Sequence, residues 1–124
     1  GVVGVAHAGW RGTAARVVQS LIAGMGVPPA SLRAAIGPCI SGSVYEVGAE
    51  VVDALRSAGL RDSDFRVDGG PRVDLARAVG AQLVESGVTD AFTAASCTAT
   101  DSRWFSHRRD GATCGRFAGV VALC

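Results

Sequence analysis

Val5-Ala-His-Ala-Gly-Trp-Arg-Gly-Thr13 marks the point where a short apolar run gives way to a helical pattern, and it sets the fold class. Upstream, Gly1 to Ala6 is too brief for a helix and dense in valine, so it reads as a buried strand. Downstream, Thr13 reads as an N-cap, and Val17, Val18, Leu21 and Ile22 fall on one helical stripe. A strand that hands over to a helix belongs to α/β architecture. In that architecture the crevice between a strand's carboxyl end and a helix amino end is where ligands bind. Histidine in such a place ligates a metal or moves a proton, and arginine holds an anion.

The same alternation recurs along the chain. Gly24-Met-Gly-Val-Pro-Pro29 ends the first helix with glycine and proline. Ser31–Ile36 reads as a strand, Gly37–Gly42 as a turn-rich loop, and Ser43–Val47 alternates like a second strand. A helix follows from about Ala49 to Ala58, carrying Val51, Val52 and Leu55 and stopping at Gly59. Residues 59–72 read as a loop anchored by Phe65 and Val67. Asp74 precedes a helix whose Leu75, Val79 and Leu83 recur four apart, closed by Gly87. Asp90–Ala95 is a candidate strand, Cys97–Gly115 a long arginine-rich loop, and Phe117–Leu123 a closing apolar strand. The expectation is a single α/β domain over 1–124, with mixed sheets flanked by helices.

Length and composition narrow the function classes. The 124 residues suffice for one domain with a real core. With 48% hydrophobic and 19% charged residues the chain is globular. A net charge of +1 argues against nucleic acid as main partner, since phosphate backbones call for a basic stripe. All 12 basic residues are arginine, and only Arg103, Arg108, Arg109 and Arg116 crowd together. The 4 cysteines, at 39, 97, 114 and 124, form no CxxC pair and read as reduced, half-buried thiols of a cytoplasmic protein. No run approaches a membrane span and no signal peptide is visible. The chain opens directly inside an apolar run without methionine, so the reading expects a fold incomplete at its amino end.

Individual residues carry competing roles. Small neighbours leave the His7 imidazole open, and Gly9 and Gly12 let backbone approach a ligand; a structural histidine is the bland alternative. Trp10 covers an apolar substrate face or fills core. Arg11 sits against the helix dipole, which an anion between them would explain; otherwise it is a solvated charge. Cys39 is a nucleophile, a soft metal ligand or an ordinary loop cysteine, with no base close in sequence. Asp74 is an N-cap, or an ion-pair partner if buried beside arginine. Ser106-His-Arg-Arg-Asp110 with Arg116 forms either a solvated loop or the wall of an anion pocket, since guanidinium forks suit phosphate and carboxylate. Trp104 and Phe105 beside them stack a ring or plug the core.

Four stretches together resemble one family. They are Val5–Thr13, Ile36-Gly-Pro-Cys-Ile40 with Tyr45-Glu-Val-Gly48, the Cys97-Thr98 pair, and Trp104–Gly111 followed by Gly115-Arg-Phe-Ala118. The family is the YfiH-like group, called multicopper polyphenol oxidoreductase or laccase-domain proteins. Its members are also described as purine nucleoside phosphorylases and as peptidoglycan editing factors. The resemblance covers essentially the whole chain and places it in the carboxyl-terminal half of a member. Departures are Trp104 where phenylalanine is usual, His107 where tyrosine is frequent, and Cys114 ahead of Gly115.

What the resemblance implies is a YfiH-like α/β fold and a zinc site of two histidines and a cysteine, with copper as the alternative metal. His7 corresponds to one ligand; the other two correspond to family segments ahead of residue 1. Cys39 and His107 are the remaining candidate donors. A zinc ion with three protein ligands keeps a position for water of lowered pKa. The implied activity is phosphorolysis of adenosine or inosine, with adenosine deamination beside it. His7 and Arg11 would be catalytic, and Gly9, Gly12, Arg108, Arg109 and Arg116 would hold substrate or phosphate. The alternatives are an amidase acting on a muramoyl nucleotide with a wrong amino acid, a copper polyphenol oxidase, and an inactive or binding-only fragment. Partners are small molecules, with no nucleic acid and no membrane.

Overall fold

The computed structural model describes residues 1–123. Its elements are α1 (Trp10–Ala14), α2 (Val17–Met25), β1 (Arg33–Ile36), α3 (Ala49–Ser57), α4 (Asp62–Phe65), β2 (Arg66–Val67), β3 (Arg72–Val73), α5 (Leu75–Glu85), β4 (Asp90–Thr93) and α6 (His107–Asp110). Single 3₁₀ turns lie at Pro29–Ser31 and Gly111–Thr113. β1 and β4 pair in parallel with Arg33 opposite Asp90, a register fixed at its start by an ion pair of 2.9 Å between those two side chains. β2 and β3 form a short antiparallel hairpin. The architecture is therefore α/β, built from one small parallel and one small antiparallel sheet.

Helix α5 is the centre of the packing. Its N-cap is Asp74, whose Oδ1 accepts from the Arg77 N–H at 2.9 Å, so the capping role read from sequence holds. At its other end, Gly87 takes a φ of +89°. Gly87 N–H donates to Val84 O at 3.0 Å and Val88 N–H to Leu83 O at 2.9 Å, the bond pair of a Schellman stop. Helix α3 ends the same way: Gly59 N–H donates to Arg56 O and Leu60 N–H to Leu55 O. In both stops the residue after the glycine is apolar and buried (Leu60, Val88), so chain reversal and core filling coincide.

Two apolar clusters meet on α5. Val51, Val52, Leu55, Leu60, Phe65, Val73 and Ala78 form one, with Trp10, Ala14, Tyr45 and Leu75 against it. Val18, Ile22, Val79, Leu83 and Val88 form the other, with Ala8, Leu32, Ala34 and Ile36 against it. Neighbouring positions 78 and 79 thus face different interiors. Fully burying each of these larger side chains contributes about 1.5–3 kcal/mol.

Several expectations are corrected. Gly1–Ala6 and Phe117–Leu123 lie outside any sheet and are exposed, Val5 at 66% and Val120 at 89%. Apolar composition makes a strand only where another edge offers hydrogen bonds, and among the described residues none pairs with either run. The first helix begins at Trp10 with Gly9 as N-cap, so Thr13 lies inside it. It then breaks at Arg16, which takes a left-handed φ of 58°, and α2 starts afresh at Val17. Ser43–Val47 makes only an isolated bridge, Glu46 with Arg72. The 59–72 segment is more ordered than a loop, since it holds α4 and the β2–β3 hairpin. Cys39, Cys97 and Cys114 are free and half-buried as expected; Cys124 lies outside the described residues.

Candidate active site

The 7–13 stretch is pinned from both sides. Ala8 packs against the second cluster and Trp10 against the first, while His7 and Arg11 stay exposed. Thr13, fully buried, donates its hydroxyl to Ala8 O at 3.3 Å. The Thr13 carbonyl in turn accepts from buried Gln82 Nε2 at 2.8 Å, which ties the stretch to α5. The two glycines serve His7 itself: a Cβ on Gly9 would stand 3.0 Å from His7 Nε2, and one on Gly12 would stand 3.0 Å from the His7 carbonyl oxygen. The imidazole therefore folds back over bare backbone. Arg11 lays its guanidinium 4.4 Å from the centre of the Trp10 ring, a cation–π contact.

The arginine-rich loop is organised by one of its own members. Arg109 bonds both Asp110 oxygens at 2.7 Å, Thr98 O at 3.0 Å and Trp104 O at 2.8 Å, so its donors are engaged inside the loop. Those bonds hold Asp110 well below the usual carboxylate range. Arg108 sits over the Tyr45 ring at 4.9 Å and donates to Glu46 O. Arg116 donates to the Cys114 sulfur and to the Cys114 and Gly115 carbonyls. Trp104 meets Phe117 edge-on with centroids 5.2 Å apart, and Phe105 is exposed. His107 opens α6 and is exposed. Among the described residues, Arg11, Arg66, Arg77, Arg108 and Arg116 have no carboxylate in ion-pair range, whereas Arg16, Arg33, Arg56, Arg61, Arg72, Arg103 and Arg109 each have at least one; Arg66 and Arg77 spend donors on the Gly69 and Arg66 carbonyls. The rings under Arg11 and Arg108, Trp10 and Tyr45, rest on the same core cluster.

The metal expectation has a direct test in the donor set. Among the described residues no three of His, Cys, Asp and Glu come together in a way that could hold an ion. His7 offers one imidazole, and neither Cys39 nor His107 completes a site with it. The described residues thus offer at most one ligand of the expected centre, His7, whose two companions are expected ahead of residue 1. The cleft of about 930 Å³ lies elsewhere, between the β1–β4 pair and α5, bordered by Ile36, Asp74, Ala76, Arg77 and Thr93.

One pair of residues was not brought together by sequence reading. Beyond the carboxyl ends of β1 and β4 the chains stay in parallel contact, and Cys39 faces Cys97 across an isolated bridge, with Thr98 N–H donating to Cys39 O at 2.9 Å. The register has slipped by one residue from that of the strands, which hid the match from spacing alone. Burial pushes the Cys39 thiol up, as do Asp74 and Cys97. Partial desolvation also raises Cys97, but hydrogen bonds from Ser41 and Thr100 outweigh it and hold this thiol at about 6.

Comparison with known proteins gives the family. A profile described as "Multi-copper polyphenol oxidoreductase laccase" matches residues 1–124, and the chain belongs to that family. It is 40% identical over 126 residues to a purine nucleoside phosphorylase of Deinococcus radiodurans, covering 99% of this chain and 49% of that protein. It is likewise 40% identical to purine nucleoside phosphorylase ORF3 of Streptomyces griseus, covering 99% and 51%. It is 37% identical to adenosine deaminase RL5 of an unknown prokaryotic organism, covering 97% and 50%. The chain spans about half the length of the curated relatives it matches. Among solved structures, Bacillus licheniformis hypothetical protein YfiH superposes with a TM-score of 0.76 at 33% identity, covering 86% of this chain and 44% of that one. Among the described residues no helix is long and apolar enough to cross a membrane.

Proposed function

We propose that these residues form the carboxyl-terminal part of an enzyme acting on purine nucleosides, by phosphorolysis of adenosine or inosine. The observation that carries the reading is the trio Arg11, Arg108 and Arg116, which lack carboxylate partners among the described residues and lie in the His7 stretch and the arginine-rich segment. Guanidinium groups left free of acids suit phosphate, which takes two parallel N–H bonds from each fork. In this proposal a phosphate oxygen attacks ribose C1′ and the purine departs with the electron pair of the broken C–N bond. Arg11 and its partners hold the phosphate, and His7 moves the proton that the leaving base takes up. Arg109 braces the loop that carries Arg108. Deamination of adenosine is the second reading, supported by the deaminase among the relatives. Zinc or copper would require donors besides His7, and no step above passes through a metal.

The test uses the product of the whole gene around these residues. It is incubated with inosine or adenosine and phosphate, and base, ribose 1-phosphate and inosine are resolved by chromatography. The reading expects phosphate-dependent release of base, lowered at least about 100-fold by His7→Ala, in line with the loss of a general acid. Release of serine from a serine-bearing muramoyl nucleotide, with no nucleoside turnover, would replace it with the amidase reading. His7→Ala at wild-type rates would overturn the assignment.

A further inference from the structure

We infer that Cys39 and Cys97 form a thiol–disulfide exchange site, which reacts with low-molecular-weight disulfides and closes into a Cys39–Cys97 bond. The geometry comes from the backbone. The two residues are register partners in a parallel bridge. Adjacent strands stand about 4.8 Å apart, inside the Cα separation that disulfides span. Opposed residues of a parallel pair present their side chains on one face, which sets the two sulfurs on the same side. Both thiols are half-buried and free. Their position is also where open α/β folds place reactive groups, past the carboxyl ends of β1 and β4 and beside the amino end of α5. Ala76 and Asp74, the α5 neighbours that act on Cys39, also border the large cleft.

The two sulfurs are made unequal by their surroundings. Ser41 N–H donates to Cys97 Sγ at 3.3 Å, and Thr100 adds further bonds, which stabilises a thiolate there. Cys39 faces the Asp74 carboxylate and stays a thiol. The other charged groups around the pair are Asp101, taken by Arg103, and Arg109, which donates to Thr98 O. Cys97 is thus the attacking sulfur and Cys39 the resolving one. The Cys97 thiolate attacks R–S–S–R, forming a Cys97–S–S–R bond and releasing R–S⁻. Cys39 then loses its proton to solvent and attacks Cys97 Sγ, expelling the second R–S⁻. The protein gives up two electrons, and the small disulfide leaves as two thiols. The bond formed locks the 37–42 and 94–98 segments against each other.

Glutathione disulfide is the probe, with intact mass and non-reducing tryptic maps as readouts. The expected product is a protein two hydrogens lighter, whose map joins peptide Ala34–Arg56 to Ala78–Arg103. At pH 6 the thiolate gain outweighs the lower intrinsic nucleophilicity, so Cys97 reacts about tenfold faster than a cysteine thiol of the urea-unfolded protein, which serves as the reference. Cys39→Ser is expected to trap a stable glutathione adduct on Cys97, and Cys97→Ser to lose the fast phase. A persistent Cys97 adduct in the unsubstituted protein, a bond from Cys97 to Cys114 or Cys124, or a Cys97 rate no higher than that of the unfolded protein's thiols would each overturn the inference. None of these readouts requires a substituted chain to fold.

Discussion

Gln82 is the side chain on which the position of the His7 stretch is predicted to depend. It is completely buried, its Nε2 donates to the Thr13 carbonyl at 2.8 Å, and its Oε1 has no partner. Gln82→Met keeps length and apolar volume but removes the donor. The Thr13 carbonyl then loses one of its two bonds, worth about 1 kcal/mol, and keeps the one from Arg16 N–H at 3.0 Å. Removing the orphaned Oε1 returns a part of that, so a net loss of about 0.5–1 kcal/mol is expected. For a chain of this length each kcal/mol lowers Tm by about 3–6 °C, measurable by urea titration and thermal melts. Gln82→Glu sharpens the test. Only the protonated carboxyl can donate to Thr13, so the folded state raises this group's pKa above its unfolded value. Stability is then present at low pH and lost as pH rises through the folded pKa. A Gln82→Met protein as stable as the parent, or a Gln82→Glu protein with the opposite pH trend, would refute the argument.

Gly9→Ala places a methyl 3.0 Å from His7 Nε2, the movable end of a side chain, so stability should change by less than about 0.5 kcal/mol while nucleoside turnover falls, read by paired melts and chromatography. Arg16 combines a left-handed backbone with bonds to Ala58 O at 2.6 Å and Glu85 at 2.8 Å, so Arg16→Ala should be less stable than Arg16→Gly by about 1 kcal/mol in urea titrations. Asp101 is held at about 2 by the Arg103 guanidinium, and Asp62, Asp64, Asp110 and Glu85 are lowered by their own arginines. Carboxylates depressed in the folded state add stability that is present above about pH 4 and fades toward pH 2, so the urea midpoint should drop across that window, less steeply in 1 M salt, where the Debye length is about 3 Å. The exposed Val5, Val120 and Leu123 predict self-association of these 124 residues, and light scattering that shows a monomer would count against it.

Local chemistry made the helices legible. Asp74, Gly59 and Gly87 mark ends that the structure honours, because caps act within a few residues of where they are written. Phe65 was found as an anchor because a lone aromatic in a polar stretch has few other uses. What misled was everything that depends on a partner. Gly1–Ala6 and Phe117–Leu123 have strand composition but no strand, and Ser43–Val47 alternates without a neighbour along most of its length. Thr13 looked like a cap and turned out to be a buried link, since its hydroxyl answers to Ala8 and its carbonyl to a residue 69 positions away. In the site, the open setting of His7 was readable from its small neighbours. The engagement of Arg109 and the meeting of Cys39 with Cys97 were not, for both arise from loops that only the folded chain brings together.

That α5 serves two interiors has a consequence for how the molecule comes apart. A lesion anywhere along its inner faces weakens both clusters at once, so neither is expected to melt alone. Exchange of the Ala78 and Leu83 amides with deuterated solvent should then report a single opening free energy, the hallmark of one cooperative unit in a body whose sheets are too small to supply that unity themselves.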